Sequence, residues 1–308
     1  MSHYCAFGDE GARQALIADI RAKGPVYSAW LTRASIEGDL TFVTKDYGLH
    51  PALARLLPVL GDFGEAEDAI PFHEALVRGI PAGADTGTLV RHALLLAWTD
   101  PTYGRSKLVG PGGVRDACEE IIALVRKSLV SPVDKIAWRA GRSKLVIAHA
   151  QEKGSDMAVE MVLCLAWDLD QSPGAAHDVM SAWRTAVTVE ADASDEDQFT
   201  DDENEIFNAA MNRINGEAMA AITNLETDEA GSLEEFLEEA SKRWAADPVA
   251  QLLKTRSIAR RTRSNTRVAL WRAAIQRTML DLAQRLPVES PQSRRRQRSD
   301  IVTDRPLH

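Results

Sequence analysis

Cysteine is scarce in this chain: Cys5, Cys118 and Cys164 are the only three among 308 residues, an odd number without metal-ligand spacing. That excludes a disulfide-framed secreted scaffold and the common zinc modules. Cys118 and Cys164 fall inside apolar helical patterns, the setting of buried reduced thiols and of a cytoplasmic protein. Long hydrophobic runs are missing too. The longest apolar window, Met157 to Trp167, is broken by Glu160 and is too short to cross a bilayer. Residues 1–11 hold no basic stretch leading into an apolar run, so no export signal is expected. Aromatics are few, 6% of the chain, and nearly absent among the C-terminal arginines, which disfavours a single-strand stacking platform there. No catalytic or cofactor motif of high specificity occurs, so no cofactor is expected.

What the chain does have is charge sorted by region. Val189 to Ala240 carries seventeen Asp/Glu against the single Arg213, a net of −16. Ser241 to His308 carries sixteen Lys/Arg against five Asp/Glu, a net of +11. A chain with a net charge of −9 thus places a strongly basic segment directly behind an acidic one. The basic part either pairs with its neighbour or is kept for an anionic partner. Contents of 45% apolar and 26% charged residues are those of a soluble globular protein.

Helical periodicity dominates, and the fold class it predicts is all-α. Helices are expected over Asp9–Lys23, Val26–Ile36, Pro51–Leu60, Glu65–Arg78 (interrupted by Pro71), Thr86–Trp98 and Gly113–Leu129. Over Leu40–Tyr47 an alternating pattern lets a strand compete, with helix preferred. Ser131-Pro132 opens the next helix as N-cap and first turn, running to about Lys153. Asp156–Leu169, apolar nearly all round, reads as a central buried helix, and Pro173–Val189 follows. Thr200 with Glu203, and Ser232 with Glu235, spell capping boxes for two further helices. A long helix then runs from Pro248 to Leu286. This gives an N-terminal multi-helix bundle (residues 1–189), an acidic linker (190–200), a C-terminal helical module (201–287) and a disordered basic tail (288–308).

The sharpest site candidate is the arginine stripe Arg256, Arg260, Arg263 and Arg267, with Arg261 beside it. Offsets of 4, 3 and 4 set the four on one helix face, where like charges repel unless anions neutralise them. Nucleic-acid phosphates are one source of anions; Glu234, Glu235, Glu238 and Glu239 of the preceding helix are another. Further along, Val268, Trp271, Ile275, Met279, Leu282 and Leu286 recur at offsets of 3, 4, 4, 3 and 4, a packing seam for a partner or a second copy.

Other readings are weaker. The glycine-rich turn at Gly110, Gly112 and Gly113 opens a helix and offers N–H groups to an anion, although a plain helix connection explains it. The hexapeptide Gly-Arg-Ser-Lys-Leu-Val occurs at Gly104–Val109 and Gly141–Val146; Arg105, Lys107, Arg139, Arg142 and Lys144 form one basic patch or, preferably, independent helix edges. His149, His177 and Asp178 suggest divalent-metal ligands of a helical phosphohydrolase of HD-like type. Glu65, Glu67, Asp68, His73 and Glu74 look metal-rich but read as a solvated face. Asp192–Glu203 resembles calcium-loop spacing, yet Asp197 stands where glycine is required. The function expected from these patterns is a non-enzymatic, cytoplasmic adaptor or regulatory protein. It docks proteins or itself and touches nucleic acid, if at all, through its basic helix, with no membrane partner.

Overall fold

The computed structural model describes residues 5–23, 41–61, 66–152, 156–223 and 232–288. Among them the chain is all-α, with no strand; the one β-type contact is a bridge between Ala84 and Val288. Contacts divide the chain into two units: unit 1, Met1–Val187 with Ala269–His308, and unit 2, Thr188–Val268. The simple end-to-end order expected from the sequence is therefore modified, because residues 269–288 group with the N-terminal unit. The expected Val26–Ile36 helix and all but one residue of the basic tail lie outside the described residues.

Unit 1 contains α1 (Glu10–Lys23), α2 (Thr41–Tyr47), α3 (Pro51–Gly61), α4 (Ala66–Gly79), α5 (Thr86–Thr99), α6 (Gly113–Ser128), α7 (Lys135–Gln151) and α8 (Asp156–Leu165). Helix α9 (Ala175–Ala193) contributes its first part. Residues 41–47 are helical, as preferred over the strand. Helix α4 runs through Pro71, because a proline that early in the helix deprives only a first-turn carbonyl of its donor. Asp134, not Ser131, caps α7: its side chain accepts from Ile136 N at 2.9 Å, so Ser131-Pro132 stays in the preceding turn.

Helix α3 packs against α4 and α5, and α6 against α7 and α8. Their apolar stripes meet in a core that fully buries Trp98 and Trp183. Several polar groups inside it are paired. The Tyr103 carbonyl accepts from Trp183 Nε1 at 2.8 Å and from the buried Arg105 Nε at 3.0 Å. His50 caps α3: its Nδ1 accepts from Ala52 N at 3.1 Å. That leaves Nε2 as the donor to Asp170, 3.1 Å away, which also takes Arg91 at 2.6 Å. His50 and Arg91 together hold the Asp170 carboxyl down at about 2.

Unit 2 is built from α10 (Asp201–Ile222), α11 (Leu233–Ala246) and the first part of α12 (Pro248–Gln284). Both capping boxes form: the Thr200 hydroxyl accepts from Glu203 N, the Ser232 hydroxyl from Glu235 N, and each glutamate returns the bond. Helices α10 and α11 pack over a small core of Ala210, Ile214, Ala218, Ala240, Trp244 and Ala250, edged by Phe207 and Phe236. No described helix is long and apolar enough to cross a membrane.

Candidate functional site

The arginine stripe on α12 finds its anions within unit 2. Arg263 grips Asp195 with two parallel bonds, Nε to Oδ2 and Nη2 to Oδ1, both 2.8 Å. Arg256 places Nε at 3.0 Å and Nη2 at 2.6 Å from Asp197 Oδ1, and its Nη1 reaches Glu203. Arg267 Nη1 donates to the Ala191 carbonyl at 3.0 Å, near the C-terminal end of α9, and to Ser194 Oγ at 2.8 Å. A helix C-terminus is electronegative, so a cation there is favourable. Arg260 and Arg256 lie over the Phe199 ring, 5.9 and 5.0 Å from its centroid. Phe199 meets Phe207 edge-on at 5.7 Å, and Phe207 stands 5.9 Å from Trp244 in the unit's core. Arg261 is exposed.

The segment expected to be a linker is therefore folded. Residues 190–193 finish α9, Asp195 is buried, and its Oδ1 also accepts from Asp197 N at 2.9 Å. The Arg263 guanidinium holds Asp195 far below the usual carboxylate range, and hydrogen bonds from Arg256 lower Asp197 and Glu203. Within the stretch Asp192–Glu203 that resembles a calcium loop, Asp195, Asp197 and Glu203 each face a guanidinium instead. Three of the four glutamates expected to meet the stripe are engaged elsewhere. Glu235 closes the box on Ser232, Glu238 pairs with Lys242 at 2.8 Å, and Glu239 pairs with Arg243 at 2.9 Å. Proximity in sequence misled because a helix satisfies i,i+4 partners on its own surface first.

The seam does not stand free for a partner. Ile275 and Met279 are buried in the fold, Val268 is nearly so, and Ala283 takes the burial expected of Leu282, which is only half-buried. In unit 1 the Trp271 ring lies 5.2 Å below the Arg105 guanidinium, and Gln276 donates to the Leu60 carbonyl at 2.8 Å. The seam is an internal packing surface of the chain.

The metal reading fails on geometry. His177 Nδ1 is 3.4 Å from Asp178 Oδ1 on an exposed surface, and these two with His149 form no cluster. No group of three His, Cys, Asp or Glu fit to hold a metal exists among the described residues. Of the metal-rich stretch, Glu65 lies outside the described residues, His73 is buried, and Glu74 is clamped by Arg21 at 2.7 and 2.9 Å. The glycine-rich turn has its own anion: Glu152 accepts from Gly113 N at 2.9 Å and Val114 N at 3.3 Å. Gly112 sits at φ 149°, where a side chain would be strained. The repeated hexapeptide adopts two conformations, a 3-10 turn with Arg105 buried and a helical copy inside α7.

Two features escaped the sequence reading. One is an uncharged outer strip on α12, visible in hindsight as threonines at helical spacing. The other is a cleft in unit 1 between α7 and the segment after α8. The chain matches no family model, no curated protein and no solved structure.

Proposed function

We propose that the chain is a non-enzymatic helical docking protein of adaptor or regulatory type, and that its docking face is the outer strip of α12 in unit 2. One observation carries this reading. Leu252, Thr255, Ile258, Thr262 and Asn265, at offsets of 3, 3, 4 and 3, and then Thr266 are exposed without a charge among them. The hydroxyls of Thr255, Thr262 and Thr266 bond back to carbonyls of their own helix at 2.9 Å, so the hydroxyls are satisfied and the methyls remain available for contact. With Leu252 61% and Ile258 57% exposed, the strip is methyl-rich in an otherwise heavily charged unit.

The occupant assigned to it is a second copy of the chain. Residues 188–268 hold eighteen Asp/Glu against nine Lys/Arg, so two acidic units approach with least repulsion where charge is absent. A two-fold pairing of α12 helices sets strip on strip. Nucleic-acid contact is the lesser part of the reading, because Arg256, Arg263 and Arg267 are already engaged. Sedimentation velocity on the full chain tests it. The wild type should sediment as a dimer, and Leu252→Glu with Ile258→Glu should leave a folded monomer. A wild-type monomer, or a dimer indifferent to both changes, contradicts the assignment.

A further inference from the structure

Beside Trp167 in unit 1 lies an open cleft of about 190 Å³. Three cations of α7 line it: Lys135, Arg139 and Arg142, whose offsets of 4 and 3 bring them onto one helix face. Like charges so placed repel, and a helix keeps such a row at a cost unless something anionic answers it. Among the described residues none of the three forms an ion pair with a carboxylate; Lys135 has only the amide oxygen of Gln171, at 3.5 Å. Asp168, the acidic residue of the lining, already accepts from Asp170 N at 3.0 Å. This sets the cleft apart from the arginine stripe of unit 2 and from the glycine-rich turn, both of which carry internal carboxylates.

The aromatic side of the cleft is equally specific. Trp138 is buried at one wall, while Trp167 is 46% exposed, unusual for so large an apolar ring. The Arg142 guanidinium stacks on Trp167 at 3.5 Å from the ring centroid, which fixes both groups at the rim. A stacked tryptophan and guanidinium present flat surfaces, and the neighbouring cations present donors to an anion.

We infer that this cleft is a binding site for a small organic anion with a flat ring, a nucleoside monophosphate being the form that fits the pairing of charge and ring. Its phosphate meets Lys135, Arg139 and Arg142, and its base lies against Trp167. The site is independent of the docking strip, which is in the other unit.

Isothermal titration of the full chain at low salt tests the site, with adenosine monophosphate, adenosine and inorganic phosphate as separate probes. The nucleotide should bind, and each of its halves should bind about tenfold more weakly or worse, since each lacks one set of contacts. Lys135→Gln with Arg139→Gln should weaken the nucleotide by about tenfold or more while leaving helicity unchanged, because both side chains are exposed. Trp167→Leu should weaken the nucleotide but not phosphate. Failure of wild-type protein to bind the nucleotide at millimolar concentration overturns the inference. So does equal binding by the Lys135/Arg139 variant, or phosphate alone binding as tightly as the nucleotide.

Discussion

Unit 1 leaves Trp98, Trp183 and Tyr103 no more than 1% exposed, whereas the core of unit 2 is four alanines with Ile214 and Trp244. Burial of a large aromatic side chain contributes several kcal/mol, while an alanine methyl contributes roughly 0.8 kcal/mol. Unit 2 compensates with directed charge: three arginines of one helix hold the turn that precedes α10. The contrast shows two uses of arginine in one chain. In unit 1 Arg105 is a buried core residue over a tryptophan ring; in unit 2 Arg256, Arg263 and Arg267 fasten a segment that has almost nothing apolar to bury.

The largest effect that sharpens this contrast is expected at Trp183. Trp183→Ala removes a fully buried ring and orphans one bond to the Tyr103 carbonyl, so it should cost about 3–5 kcal/mol. Thermal unfolding followed by circular dichroism measures it. A loss below about 1 kcal/mol would mean that the apolar core of unit 1 is far less cooperative than its burial implies.

Acid should separate the units next. Burial pushes His73 in unit 1 down to about 4 from 6.5, so the folded chain keeps it neutral where the unfolded chain protonates it. Stability of unit 1 should therefore fall as pH drops from 6.5 to 4, by up to about 3 kcal/mol, and His92, also pushed down by burial, adds in the same direction. Asp195 in unit 2 is shifted down from 3.8, so its contribution is intact above that value and is lost only as pH falls further. Unit-resolved hydrogen exchange between pH 7 and 4 should show unit 1 loosening while the Asp195 turn holds. His73→Leu should flatten the slope. Equal loosening of both units across that window would break the comparison.

Much of the fold is legible in the sequence because it is local. The capping boxes at Thr200 and Ser232 need only residues three apart, and the seam follows from periodicity around Ile275 and Met279. What is not legible is pairing across the chain. Arg263 and Asp195 lie 68 positions apart, and an acidic segment with little to bury looks the same whether solvated or clamped. The repeated hexapeptide makes the same point. At Gly104 a Cβ would come within 2.3 Å of the Asp100 carbonyl oxygen, while Gly141 packs on Ile121 and Leu124, so surroundings decide the conformation of identical residues. The cleft at Trp167 is hidden for a related reason. Its cations are visible as a row on α7, but only the fold brings Trp167 and Arg142 together and shows that, among the described residues, no carboxylate forms an ion pair with Lys135 or Arg139.

The smallest expected effect bears most directly on the central claim, that the arginine stripe is an internal clasp. Arg256→Gln with Arg263→Gln removes both grips on Asp195 and Asp197 and leaves the cores untouched. Amide hydrogen exchange over residues 194–203, measured against Arg261→Gln as an exposed control, reads the outcome. The double variant should lose protection in that segment alone, with unit 1 and the control unchanged. Unaltered protection at 194–203 in the double variant would contradict the clasp and return the stripe to an external anion.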